Sequence, residues 1–362
     1  MKKLFQFTLG FCLLVATAFP TSAAFSSLYI FGDGLSATTD TNSLGPPLYY
    51  GQRNSNGRVW VEVLAQRQGL AYIATNNDSF FGHNSSETVA DVFNFNAPPD
   101  VTNDLFIVWV CNADTFDAAS YPDTSVEWTN DINQAQTNHF RIITNLYAKG
   151  VRTLVLPNAV DISKAPAFNQ GTSPLDVMHN GCVAYNVAFS NTISQARALC
   201  PGLTIYAPDF FTLLNNVLTN AAYYGLTNVL YNGSSIDAID AENFYPGLPA
   251  AATNGFGTNF VFWDPQDPTA QLHEVVADFV QQIISPVRIG KITALAGSNR
   301  LDIVNYPAGL GGFVDGVANL VLANWTAVQN FNSSNVTQSV LVPTSGPQQF
   351  YRLRFPYAWS WP

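Results

Sequence analysis

The stretch Leu28-Tyr29-Ile30-Phe31-Gly32-Asp33-Gly34 places four apolar residues directly before a Gly-Asp-Gly turn. A short, uninterrupted apolar run that ends at glycine is typical of a strand buried on both faces of a sheet. This stretch therefore predicts a central strand near the start of the folded chain, with polar groups at its carboxyl end.

Similar apolar runs recur along the chain and alternate with amphipathic segments. This alternation predicts a parallel sheet with helices on both faces. In such sheets ligands bind at the carboxyl ends of the strands, which here are followed by Asp33 and Gly34, by the stretch after Val110, and by the loop before Thr269. The pattern predicts strands over 28–31, 105–110, 153–156 and 203–206, and helices over 59–68, 126–148, 180–199, 210–218 and 269–284.

The sequence pattern changes after Pro286. Helical periodicity ends, and short alternating stretches separated by Gly, Asn and Pro take its place, most clearly over 340–342 and 350–355. We predict a small antiparallel β module over 286–362, following an α/β domain over 25–285. An exposed Trp or Tyr of this module could stack on a sugar, but Trp325 in the core of the module is favoured.

The composition bounds the class of protein. Of the 362 residues, 47% are hydrophobic and only 11% are charged, which excludes a disordered chain. The chain has 15 basic and 25 acidic residues, a formal net charge of −10, and no basic block of five or more. We therefore expect no nucleic-acid partner.

The N-terminus has the pattern of a cleavable secretory signal over 1–24. Two lysines precede an apolar stretch over 4–19, and small residues lead up to Phe25. A membrane anchor is the less favoured interpretation, because the apolar run is short and contains Gln6 and Thr8. We expect a secreted or periplasmic (cell-envelope) protein with no integral membrane segment after cleavage.

Three cysteines remain after the predicted signal, namely Cys111, Cys182 and Cys200. An odd number allows at most one internal disulfide, and the sequence contains no CxxC and no Cys/His metal spacing. We interpret the three as buried thiols that pack as small hydrophobic residues. No metal and no cofactor are expected.

Several blocks resemble the SGNH/GDSL hydrolases, a family of ester hydrolases. Phe31-Gly32-Asp33-Gly34-Leu35-Ser36 resembles the first family signature, and Ser55-Asn56-Gly57-Arg58-Val59-Trp60 resembles its SNGRVW helix start. The segment 77–82 resembles the second block, and 262–269 resembles the terminal FWDxxHPT block. Over about 27–285 the resemblance implies a three-layer α/β/α, flavodoxin-like fold and activity on ester bonds.

Two positions depart from the family's catalytic triad. In the family a serine after Gly-Asp attacks the ester, a histidine deprotonates it, and an aspartate three residues earlier orients the histidine. Here Gly34 stands at the serine position and Asp267 at the histidine position, while Asp264 is retained. The resemblance thus implies a degenerate triad, and the sequence leaves open whether the chain is an enzyme.

The oxyanion-hole residues of the family match in part. Gly34 and Gly82 could still supply backbone N–H donors. The family's G-x-N-D block falls on 111–114, so that Asn112 lies one residue from the usual asparagine and Asp114 closes the block.

Three side chains could replace the missing catalytic groups. Ser36 could be a displaced nucleophile, but a hydroxyl that stabilises the turn is favoured. His83, in the second block, could be a substitute base, but a loop-ordering or surface histidine is favoured. His273, one turn into the last predicted helix, could face the pocket or pack between helices.

The carboxylates offer another possibility. Asp33, Asp114, Asp264 and Asp267 are expected in loops at one end of the sheet. Close together, they would raise one pKa, bind a hard cation such as calcium, or act as the acid/base pair of a glycoside hydrolase. The favoured interpretation is that Asp33 and Asp264 merely accept hydrogen bonds from backbone amides in their turns, because no spacing resembles a calcium loop.

The functional expectation is a secreted, SGNH/GDSL-like ester hydrolase or lipase-like protein with a degenerate triad. Its partner is expected to be a small-molecule ester or carbohydrate, which the chain acts on or binds as a pseudoenzyme. The alternative is a non-catalytic carbohydrate-binding or structural surface protein.

Overall fold

The structure is a computed structural model that describes residues 25–355 except 42, 44, 121–124, 170–173, 244–256, 333, 345 and 347. The predicted signal over 1–24 and the end of the predicted β module lie outside the described residues.

Five parallel strands form the central sheet, in the order β2-β1-β3-β4-β5. The prediction of a parallel sheet is confirmed, although the short edge strand β2 was not predicted. This order places a topological switch point between β1 and β3, and ligand sites in open parallel sheets lie at such points. The strands are β1 Leu28–Gly32, β2 Asn77–Ser79, β3 Leu105–Trp109, β4 Thr153–Val155 and β5 Thr204–Tyr206.

Helices cover both faces of this sheet. In β3, Phe106 and Trp109 are three residues apart and therefore point to opposite faces. The Phe106 ring stacks on Tyr29 and meets Phe95, which follows α2 (Ser85–Asn94). The Trp109 ring meets Trp60 and Phe210, at the starts of α1 (Trp60–Arg67) and α7 (Phe210–Thr219). The three-layer α/β/α prediction is confirmed.

The other helices of this part are α3 Cys111–Ser120, α4 Ser125–Ala148, α5 Pro166–Asn169, α6 Leu175–Leu199, α8 Ala238–Asn243 and α9 Ala270–Ile284, with short 3-10 turns at Ala74–Asn76, Ile162–Lys164 and Ala221–Tyr224. A two-stranded hairpin joins β6 (Leu230–Tyr231) to β7 (Ser234–Ser235).

Four of the described helices, namely α2, α3, α5 and α8, were not predicted, and α3 corrects the expected environment of a site residue. Asp114 was expected in a loop, but it lies in the first turn of α3, which begins directly after β3. The helix α2 could have been found, because Asn84 and Glu87 form a capping box at its start.

The described residues after Pro286 form six antiparallel strands, which confirms the predicted small β module. Its sheets have the orders β12-β9-β8 and β11-β10-β13. Leu301, Tyr306, Val314 and Leu353 are among the residues of its buried core. The strands are β8 Arg288–Leu295, β9 Ser298–Val304, β10 Gly311–Val317, β11 Thr326–Asn332, β12 Thr337–Pro343 and β13 Phe350–Arg354.

The placement expected for Trp325 is wrong. Its side chain is half-buried and outside the module's core, and the guanidinium carbon of Arg352 lies 4.6 Å from the centre of its ring.

We propose that the boundary between two folding units lies near Pro286, because the buried core of the module is a cluster of its own. The two parts are nevertheless in contact. Arg67 of α1 donates to Asp278 of α9 at 2.6 Å and to the Ala308 carbonyl of the module at 3.2 Å. This buried ion pair lies beneath the module.

Candidate functional site

A cavity of about 260 Å³ opens at the carboxyl ends of β1 and β3. Five residues singled out from the sequence line it together, namely Asp33, Gly34, Gly82, Asn112 and Asp267. They come from four separate loops and helix starts, which the parallel strands bring to one edge of the sheet. This edge is the switch point between β1 and β3.

Asp33, the first residue after β1, is buried and lines the cavity. Its Oδ1 accepts the Leu35 N–H at 3.0 Å, and its Oδ2 lies 3.4 Å from the Asn112 amide nitrogen. Burial raises the pKa of Asp33 to about 7, although hydrogen bonds from Leu35, Asn112 and the Ala113 N–H oppose the shift. Near neutral pH this carboxyl group can therefore donate or accept a hydrogen bond.

Asn112 is held in one orientation at the start of α3. Its Oδ1 accepts the Val160 N–H at 3.0 Å, which leaves its amide nitrogen turned toward Asp33. The residue thus ties the loop after β4 to the loop after β1.

Gly34 lies where the resemblance would place a nucleophile, and little room surrounds it. A Cβ atom added there would lie 3.1 Å from Asn54 Nδ2 and 3.2 Å from a ring carbon of Phe81. The Asn54 amide nitrogen is buried and has no hydrogen-bond partner among the described residues. A side chain at position 34 would therefore displace Phe81 slightly and meet an available donor.

The backbone N–H groups of Gly34 and Gly82 donate no hydrogen bond to any group in the described part of the chain. Both residues line the cavity, and Gly82 has a φ of 77°, which favours glycine. Two backbone donors without a partner therefore belong to residues that line the cavity.

Asp264 and Asp267 form a carboxyl pair beside the cavity. Asp264 accepts the Tyr49 hydroxyl at 2.8 Å and the N–H groups of Gln266 and Asp267 at 2.8 and 2.7 Å. Burial and the neighbouring Asp264 raise the pKa of Asp267 well above its ordinary value. Asp267 lines the cavity and favours its protonated form, whereas Asp264 is not among the lining residues.

The residues considered as replacements for the triad lie outside the cavity lining. Ser36 is fully buried, and its hydroxyl accepts the Trp60 indole N–H at 3.0 Å. His83 packs on Phe80, with its Nδ1 3.3 Å from the Asp91 carboxylate.

His273 is buried in α9, and its Nε2 has no partner among the described residues. Burial lowers its pKa to about 3. These three positions favour the structural interpretations given to Ser36, His83 and His273 above.

Asp114 belongs to a buried polar network beneath the cavity rather than to its lining. Its Oδ2 lies 3.1 Å from His139 Nε2 and accepts the Tyr185 hydroxyl at 2.6 Å, while its Oδ1 accepts the Ser85 N–H. Burial disfavours the charged form, but these hydrogen bonds and the charge of His139 outweigh it and hold the pKa of Asp114 below its ordinary value.

Cys111 is part of the same network, with its Sγ 3.8 Å from His139 Nε2. The thiol and Asp114 face the same ring nitrogen, so the geometry differs from a triad, in which the acid and the nucleophile face opposite nitrogens. Burial raises the pKa of Cys111 well above its ordinary value. All three described cysteines are free and buried, as expected.

The sequence interpretation missed Asp161, which also lines the cavity. Its carboxylate accepts from the Ser163 hydroxyl at 2.6 Å and lies 2.7 Å from His179 Nδ1. The signal was available, because Asp161 follows β4 and so lies at the same edge of the sheet as Asp33.

Apolar side chains form most of the cavity wall, among them Phe81, Phe116, Ile162, Leu214 and Phe262. A smaller pocket of about 60 Å³ shares part of this wall and continues toward α7 and α9. Its other lining residues are Trp109, Phe210, Leu213, Pro268, Leu272 and Val276. The site thus combines carboxyl groups at one end with an apolar extension at the other.

The sequence matches no protein-family model and no curated protein. Solved structures with a similar backbone include the acetylxylan esterase Axe2 from Geobacillus stearothermophilus, with 13% identity, a TM-score of 0.41, and coverage of 72% of this chain and 94% of that one.

Two further similar structures are an α/β hydrolase from the Lake Arreo metagenome and an extracellular lipase from Streptomyces rimosus. Their identities are 14% and 11%, and their TM-scores are 0.40 and 0.39. They match 73% and 71% of this chain and 97% and 99% of their own. At these values the similarity assigns no activity, so the chemistry of the site rests on its own geometry.

Within the described residues, no group of three or more His, Cys, Asp or Glu side chains is placed to hold a metal ion. In the same part of the chain, no helix has the length and apolar character needed to cross a membrane.

The residues that line the cavity are better suited to binding a ligand than to covalent catalysis. The cavity supplies two unpartnered backbone donors, a carboxyl group that favours its proton at Asp267, and an apolar wall. It lacks a hydroxyl at position 34, where the family resemblance would place the nucleophile.

Proposed function

We propose that this chain binds a neutral ester with an apolar acyl group in the cavity lined by Asp33, Gly34 and Asp267, and that it does not hydrolyse this ester through a serine. The observation that carries the proposal is the presence of unpartnered donors and apolar walls around a glycine at the nucleophile position. The family resemblance supports the ester as ligand class.

The proposed polar contacts follow from the lining of the cavity. The ester carbonyl would accept hydrogen bonds from the Gly34 and Gly82 N–H groups, and the protonated Asp267 would donate to the second ester oxygen. A free carboxylate is disfavoured, because it would lie beside Asp33 and Asp161 with no basic side chain among the lining residues.

The apolar part of the ligand would extend along Phe262 and Leu214 into the smaller pocket. Burying an acyl chain there adds to the binding free energy in proportion to the apolar area removed from water. A carbohydrate would leave its hydroxyl groups without partners against this wall, so the ester is the favoured ligand.

Secretion belongs to the same proposal. The lysines and apolar run over 1–24 support export of the chain, and they lie outside the described residues.

Binding is tested by calorimetry with ethyl hexanoate and with hexanoate, which share one acyl chain and differ in charge. We expect the ester to bind at least about tenfold more tightly, a difference of about 1.4 kcal/mol. Ala113 lines the cavity, and Ala113→Leu should lower the affinity for the ester by about tenfold, because the added methyl groups occupy the binding volume.

Ala119→Leu is the matched control, since it adds the same groups to the same helix at a position outside the cavity lining. Equal affinity for ester and carboxylate, or an ester affinity that Ala113→Leu leaves unchanged, would contradict the proposed site.

A further inference from the structure

Three consecutive apolar side chains project from the β module between β10 and β11. Leu320 is 51% exposed, Val321 92% and Leu322 66%. We call these three residues the apolar tip. Single exposed apolar residues are ordinary, but a run of three at a loop end is costly in water and marks a contact surface.

The apolar tip is held in a defined turn. The Asn319 side-chain oxygen accepts the Val321 N–H at 2.8 Å, and the Asn319 carbonyl accepts the Ala323 N–H at 3.2 Å. Ala323 adopts a φ of 48°, which closes the turn in a left-handed conformation. The tip is therefore presented without the conformational cost of ordering a loose loop.

Next to the apolar tip, the side chains change from apolar to aromatic and then to basic. Trp325 lies three residues after Leu322, and the Arg352 guanidinium lies over its ring. Arg352 and Arg354 both bind Asp315 of β10, so two cations share one buried carboxylate. An apolar end followed by a tryptophan and then an arginine is typical of segments that lie at a lipid–water interface.

Charge separates the β module from the rest of the chain. Residues 286–362 contain five basic and two acidic residues, a net charge of +3, whereas 1–285 carry −13. From Gly316 to Tyr351 there is no charged residue. An anionic surface would therefore attract the β module and repel the rest of the chain.

We propose that the apolar tip inserts into the interfacial region of an anionic lipid surface, with Trp325 at the level of the head groups and Arg352 facing their negative charge. The chain would then be a peripheral lipid-binding protein. This inference does not depend on the cavity, and it can hold whether or not the ester proposal does.

The test is sedimentation of the full chain with vesicles of phosphatidylcholine alone and of phosphatidylcholine mixed with phosphatidylglycerol. We expect binding to the mixed vesicles that weakens at high salt. Val321→Asp should reduce the bound fraction at least about tenfold, because a charge at the interface opposes insertion. Leu341→Asp is the matched control, since Leu341 is 58% exposed but lies on β12 of the other sheet.

Four results would overturn the proposal. The first is that the wild type does not sediment with mixed vesicles, and the second is that both variants lose vesicle binding equally. The third is binding that depends on charge alone and is unchanged by Val321→Asp. The fourth is concentration-dependent dimerisation that Val321→Asp abolishes in the absence of lipid. The last would assign the apolar tip to contact between two copies of the chain. Circular dichroism establishes that both variants are folded before the comparison.

Discussion

The double substitution Gly34→Ser with Asp267→His is expected to create esterase activity at least about a hundredfold above that of either single variant, because a positioned base contributes about 10²–10⁴-fold. Asp264 would orient the new histidine and keep its hydrogen bond from Tyr49. The unpartnered Asn54 amide would lie close enough to meet the new hydroxyl. Release of p-nitrophenol from p-nitrophenyl acetate measures the gain.

Either single variant should remain inactive, since a serine without its base is a poor nucleophile. Thermal melting controls for folding, because the new Cβ at position 34 requires Phe81 to move by a few tenths of an ångström. A folded double variant without activity would show that these loops no longer hold triad geometry.

The stability of Asp33→Asn relative to the wild type is expected to increase as pH rises. The expected gain in the free energy of unfolding is roughly 4 kcal/mol between about pH 4 and pH 8, since each unit by which the pKa is raised corresponds to about 1.36 kcal/mol. Burial raises the pKa of Asp33 to about 7 from 3.8. The contribution of Asp33 to folding is therefore fully present below pH 3.8 and is lost as pH rises through 7.

Urea unfolding of both proteins at each pH measures this difference. The variant must be compared with the wild type at each pH, because His273 affects the stability of both proteins. Burial lowers the pKa of His273 to about 3, which destabilises the fold as pH falls below 6.5. Asp302→Asn is the control, since hydrogen bonding from Ser339 lowers the pKa of the half-buried Asp302, whose titration therefore lies below this range. A pH-independent difference for Asp33→Asn would show that Asp33 is ionised throughout.

The parallel sheet could be predicted from the sequence, because apolar runs such as Leu28–Gly32 are buried along their whole length. The helix α3 could not, because CNADTFDAAS has no clear apolar face. His139 carried a usable signal, since it lies with Ile132, Ala135, Ile143 and Leu146 among the buried residues of α4 and a buried histidine requires a polar partner.

The decisive features of the cavity depend on contacts between distant segments. Phe81 and Asn54 limit the space at Gly34 from positions 47 and 20 residues further along the chain, and no local pattern reports such a contact. The raised pKa of Asp33 likewise follows from its burial, which no local pattern reports. From the sequence one can say which residues reach this edge of the sheet, and only the packing shows which of them share a cavity.

The most direct test of the central claim is to mix the wild-type chain with p-nitrophenyl hexanoate and to follow binding and p-nitrophenol release together. We predict saturable binding that Ala113→Leu weakens, with release no faster than in buffer and unchanged by Ser36→Ala. Saturable release that either substitution abolishes would contradict the account and identify the cavity as a working active site.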